Sequence, residues 1–139
     1  MTATAETIIS RGRRKAYRPM AARGRRKALE AALAAYARGD YFEAHELLEP
    51  AWLGSADQAE RDLYGGIIKL SAAYVHGARR NPAGVAKNLR GARERLADGA
   101  AAGPDAAVDV MGLLADVDDR LAADRIDAQP PPVIRRSPR

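Results

Sequence analysis

The chain has 139 residues, of which 47% are hydrophobic and 29% charged, and it contains no cysteine. That length supports one core rather than two, and the lack of thiols excludes disulfides, thiolate zinc sites and cysteine nucleophiles together. The net charge of +5 hides an asymmetry, because residues 1–30 carry +7, residues 31–129 carry −5 and residues 130–139 carry +3.

Alanine fills 31 positions and aromatics only 5%, so helix formers dominate and the β-branched and aromatic residues that strands favour are scarce. The pattern predicts an all-α, compact antiparallel bundle of about five helices built from helical hairpins. No apolar run approaches the eighteen or so residues of a spanning helix. With no cysteine, and with Arg13-Arg14 not followed by an uninterrupted apolar stretch, a cytoplasmic location is expected.

Residues 1–24 read as a basic flexible arm. Arg11, Arg13, Arg14, Lys15, Arg18 and Arg23 continue into Arg25, Arg26 and Lys27 at the start of the first helix, broken by Gly12, Pro19 and Gly24. Clustered arginine of this kind can neutralise phosphates, so RNA or DNA is a candidate partner; a solvated tail of an Arg-biased composition, with 19 Arg against 4 Lys, is the plainer reading.

Helix one is predicted over 25–38, where Ala28, Leu29, Ala32, Leu33 and Tyr36 recur on one face up to Gly39. Asp40 and Glu43 have capping-box spacing and open helix two. This helix runs to Gly54-Ser55, with a kink or early stop expected near Glu49 because Pro50 follows. Helix three is expected over 59–76; Gly65-Gly66 inside it costs roughly 1 kcal/mol each against Ala, which implies close approach of a neighbouring helix. Asn81-Pro82 is a start signal for helix four, which ends near Gly99. After Gly103-Pro104-Asp105 a fifth helix carries Val108, Met111, Leu114, Val117 and Leu121. The helical domain therefore spans 25–128, and 129–139 is an extended Pro/Arg tail that Val133 and Ile134 would anchor.

Chemistry concentrates in helix two. His45 and Glu49 are four residues apart, with Phe42 and Trp52 three residues beyond on either side, so all four share one helix face. His76, the second of two histidines, ends helix three and could fold back toward them. Three readings follow: a buried polar network that fixes helix register; a divalent metal site on His45, Glu49 and His76; or a small-molecule pocket in which Glu49 orients His45. His45-Glu46-Leu47-Leu48-Glu49 departs from the His-Glu-x-x-His zinc motif at its last position, so a protease is not expected. Glu46 is expected to face solvent.

The run Asp40-Tyr41-Phe42-Glu43-Ala44-His45-Glu46-Leu47-Leu48-Glu49 with Trp52, followed by Gly66 to His76 and Asn81 to Val85, resembles the family called domain of unknown function 309. That resemblance covers about residues 25–96 and implies a small all-helical domain, found mainly in prokaryotes, with no established activity. It also implies that His45, Glu49, Trp52 and His76 occupy signature positions. Pro50 and Lys69 depart from the family pattern, which has a helix former and commonly Gln there. A cation at Lys69 disfavours a bound metal and favours an internal salt bridge or an anionic ligand. A weaker likeness to tetratricopeptide hairpins, at Gly39 to Ala44, fits a partner-binding scaffold. The function expected is thus a ligand- or protein-segment-binding module using Phe42, His45, Glu49, Trp52, Lys69 and His76. A divalent-metal-dependent hydrolase on His45, Glu49 and His76, and a nucleic-acid-associated protein acting through the arm, are the alternatives.

Overall fold

The computed structural model describes residues 6–102 and 107–137. Five helices make up most of it: α1 (Ala22–Ala37), α2 (Tyr41–Leu53), α3 (Gln58–Ala78), α4 (Pro82–Gly99) and α5 (Val110–Leu121). They follow a two-stranded antiparallel hairpin of β1 (Glu6–Ser10) and β2 (Arg13–Tyr17) and precede a 3-10 turn at Ile126–Ala128. The expected helical bundle is therefore present, with a small sheet added. Among the described residues, no helix is long and apolar enough to cross a membrane.

The middle helix organises the core. Residues 61–67 of α3 are all buried, because α2 covers one side and α4 the other. The glycine pair predicted to permit close approach does so at Gly66, where a Cβ would stand 2.8 Å from the Leu96 side chain of α4. Asp57 caps α3 by accepting from Glu60 N at 2.9 Å, and Asn81 caps α4 by accepting from Gly84 N at 3.1 Å. Each satisfies one of the amides that a helix start leaves without a partner.

Three local expectations need correction. The Asp40/Glu43 capping box does not form, because Arg38 takes both carboxylates, at 2.7 Å and 2.9 Å. Nor does Pro50 stop α2: the residue is exposed, so water can serve the carbonyl its ring leaves unpaired, and the helix continues to Leu53. On α5 the inward stripe is Leu113 and Val117, whereas Met111 is 70% exposed. Gly103, Pro104 and Asp105 lie outside the described residues.

Residues 6–17, read from the sequence as part of a flexible arm, are ordered by contacts that no local pattern reveals. Arg11 and Gly12 both have positive φ (52° and 76°), the hallmark of a tight type I′ hairpin turn. Arg11 then reaches Asp62 of α3 and Glu94 and Asp98 of α4. The Arg61 guanidinium donates to Ala16 O at 3.1 Å, and Arg18 N donates to Leu53 O at 3.0 Å. The hairpin is thereby held across the helices.

The tail also lies against the bundle, but through Pro132 and Ile134 rather than Val133, which is 59% exposed. The Tyr36 hydroxyl donates to Pro132 O at 2.6 Å in a buried site. Tyr36→Phe is expected to cost about 1–2 kcal/mol, because the carbonyl is left buried without a donor. Chemical denaturation would measure the loss, and faster proteolysis within residues 129–137 would locate it.

Candidate functional site

An open cleft of about 640 Å³ lies between the hairpin and helices α2, α3 and α4. His45, Glu49 and Trp52 of α2 line one side; Arg61, Asp62, Gly65, Ile68 and Lys69 of α3 form its floor. From α4 come Glu94 and Arg95, and from the hairpin Ser10, Arg11, Arg13 and Lys15. The α2 residues face one way because positions 45, 49 and 52 recur at helical spacing, and positions 61, 65 and 68/69 do the same on α3.

Of the six expected binding residues, His45, Glu49, Trp52 and Lys69 converge on this cleft. Phe42 does not line it: its ring is 65% exposed and stacks on His45 with centroids 6.3 Å apart. His76 is also elsewhere. Its ring packs toward Gly84, and Nδ1 stands 3.2 Å from Asn81 Nδ2 at the turn between α3 and α4. The His45/Glu49/His76 metal set is therefore not assembled, because His76 projects toward the start of α4. Glu46 takes its place: one ligand atom each from His45, Glu46 and Glu49 lie within 4.8 Å of one another. Glu46 is exposed as expected, yet its Oε1 sits 3.3 Å from the buried His45 Nδ1, without the geometry of a hydrogen bond.

Arg61 and Arg95 were not expected. Arg61 is fully buried, with its guanidinium 4.6 Å from the Trp52 ring centroid in a cation–π contact. It also approaches Ser55 O at 3.4 Å, while among the described residues its Nε has no partner. Burial makes its proton easier to lose than in an ordinary arginine. Arg95 runs beside Gly65, where a Cβ would stand 3.3 Å from both Arg95 Cδ and Trp52 Nε1. A Cβ on Gly91 would meet Arg95 Nη1 at 3.3 Å and Lys69 Cδ at 3.7 Å. Lys69, Arg95, Trp52 and Arg61 thus form one continuous strip. Burial, and then the charges of Arg95, Lys87 and Lys15, push the Lys69 ammonium below its usual pKa range. The 61-65-69 spacing could have put Arg61 on the same helix face as Lys69 from sequence, but Arg95 depends on how α3 and α4 pair.

The nine arm cations have separate fates. Arg11 and Arg25 are engaged in ion pairs, the latter with Glu60; Arg13 and Lys15 line the cleft; Arg14, Arg18, Arg23, Arg26 and Lys27 are exposed.

Fold and cleft together define a small helical-bundle domain carrying a polar, cation-rich groove. Residues 29–88, which include α2, α3 and the start of α4, match the family model described as Domain of unknown function (DUF309), the family that the sequence resembles. No curated protein and no solved structure matches the chain.

Proposed function

We propose that this domain is a binding module whose small ligand enters the cleft and contacts Trp52, His45, Glu49 and Lys69. The observation that carries the reading is the convergence of these residues, from two helices, on a concavity of about 640 Å³, a size suited to a small molecule. Trp52 and Ile68 supply apolar surface, and His45 supplies ring nitrogens that can donate or accept. Trp52 is the sole tryptophan, so its emission reports on the site alone. In a screen of small metabolites, compounds that raise Tm are expected to shift Trp52 emission in the wild type and to lose their stabilising effect in Trp52→Ala. Compounds that stabilise both proteins equally, with unchanged emission, would end this reading.

A metal-dependent enzyme is the second reading, favoured by the mutual approach of His45, Glu46 and Glu49. Near-stoichiometric zinc, iron or manganese in untagged protein, lost in His45→Ala, would support it. A folded, metal-free protein would dismiss it. The cations on the α3 and α4 walls oppose a bound cation and weigh toward the first reading.

A further inference from the structure

The charges around the cleft are unevenly satisfied. Six cationic side chains and three carboxylates line it. Two of those carboxylates, Asp62 and Glu94, are paired with Arg11. Glu49 alone is left to face Arg13, Lys15, Arg61, Lys69 and Arg95. Among the described residues, none of these five has a carboxylate oxygen within 4.0 Å. Arg11 offsets one of the two carboxylates it pairs with, and the lining as a whole keeps three more cations than carboxylates.

Two of those cations are also held in place, and a third lies beside them. Arg61 is buried against Trp52, Arg95 runs beside Gly65 and Gly91, and the Lys69 side chain also reaches Gly91. Arg61 and Arg95 retain unused donors: among the described residues the Arg61 Nε has no partner, and Arg95 spends one bond on Gly91 O at 3.2 Å. Like charges kept this close, partly out of water, are unfavourable unless an anion joins them.

Resting on the cleft reading above, we infer that the ligand is a multiply charged small anion, a molecule bearing a diphosphate or comparable phosphoryl group, held by Lys69, Arg95, Arg61 and Lys15. Guanidinium groups match phosphoryl oxygens bidentately and the two lysines add point charges. Trp52 and Ile68 receive the apolar part of the molecule. The groove is sized for a small molecule, and Arg14, exposed on the hairpin, lies outside it.

The test is titration calorimetry with inorganic pyrophosphate, run beside Trp52 emission, on the full chain in low salt. Orthophosphate, spermine and a single-stranded RNA oligonucleotide are the comparison probes. Pyrophosphate is expected to bind more tightly than orthophosphate, to shift Trp52 emission, and to weaken about tenfold or more in each of Lys69→Met and Arg95→Met. Arg14→Met should leave it unchanged, with circular dichroism confirming that all variants are folded. Absence of pyrophosphate binding, or equal binding by wild type, Lys69→Met and Arg95→Met, would overturn the assignment. So would RNA binding that Arg14→Met weakens as much as Lys69→Met, since that is a surface contact. If neutral metabolites or spermine shift Trp52 emission and pyrophosphate does not, the cleft is a binding site for another ligand class. If pyrophosphate binds without moving the emission, the cleft itself is excluded.

Discussion

Gly99→Ala is expected to destabilise the fold by about 3 kcal/mol or more, the upper range for overpacking a core. At this last residue of α4, an added Cβ would stand 2.6 Å from Leu63 N and 2.7 Å from Leu63 Cα. Both are backbone atoms in the middle of the buried stretch of α3, so no side chain can turn aside and α4 must move away from α3. Gly66→Ala should cost less, because part of the clash is with the Leu96 side chain at 2.8 Å, although Leu96 N at 3.1 Å limits relief. Gly65→Ala is the contrast. Its neighbours, Arg95 Cδ and Trp52 Nε1, are both 3.3 Å away on side chains beside an open cleft, so the helix-propensity gain of roughly 1 kcal/mol over Gly can prevail. Urea denaturation of the three variants should rank stability as Gly65→Ala, then Gly66→Ala, then Gly99→Ala. An unchanged Gly99→Ala would mean that α3 and α4 are less closely packed than described.

The same glycines show why the fold was largely legible and the site only partly so. Helix boundaries follow from local chemistry: Asn81-Pro82 caps and starts α4, and Gly39 ends the α1 region through its positive φ of 86°. Gly65-Gly66 is costly in a helix, so its presence pointed to a close neighbour without saying which. His45, Glu49 and Trp52 were legible because one helix repeats every 3.6 residues. What local patterns could not supply is how elements distant in sequence meet. His76 falls on the matching stripe of its own helix, yet α4 rather than α2 receives it. The hairpin was missed because Arg11-Gly12 lacks the Asn-Gly or Asp-Gly turn signal, and because its anchors, Asp62, Glu94 and Asp98, lie 51 to 87 residues away. Capping by Asp40 failed for a similar reason on a shorter scale, since Arg38 competes for its carboxylate.

Raising the pH is expected to unfold the protein cooperatively between pH 10 and about 12, together with tyrosine ionisation. Tyr36, Tyr64 and Tyr74 are all buried in the core. Burial raises the Tyr64 and Tyr74 hydroxyls from an ordinary value of 10.0 to about 12 and pushes Tyr36 higher still. A raised folded pKa means that the folded state keeps its phenol protons where the unfolded chain has released them. Stability is therefore full below pH 10 and falls as pH rises through the folded values. Tyr64 and Tyr74 each contribute a loss on the order of 3 kcal/mol, which together is comparable with the roughly 5–15 kcal/mol total stability of a small domain. Lys69 acts in the opposite sense, because its pKa is lowered on folding, but it is one partly exposed group against three buried ones. Tyr74→Phe separates this cause from general alkaline damage. The Tyr74 hydroxyl is buried with no hydrogen-bond partner among the described residues, so its removal should be neutral or stabilising at pH 7 and should shift the alkaline midpoint upward. Tyrosinate absorbance and circular dichroism, followed together against pH, should change in one transition. Titration of all five tyrosines near pH 10 with the helical signal intact would show that these rings are open to water.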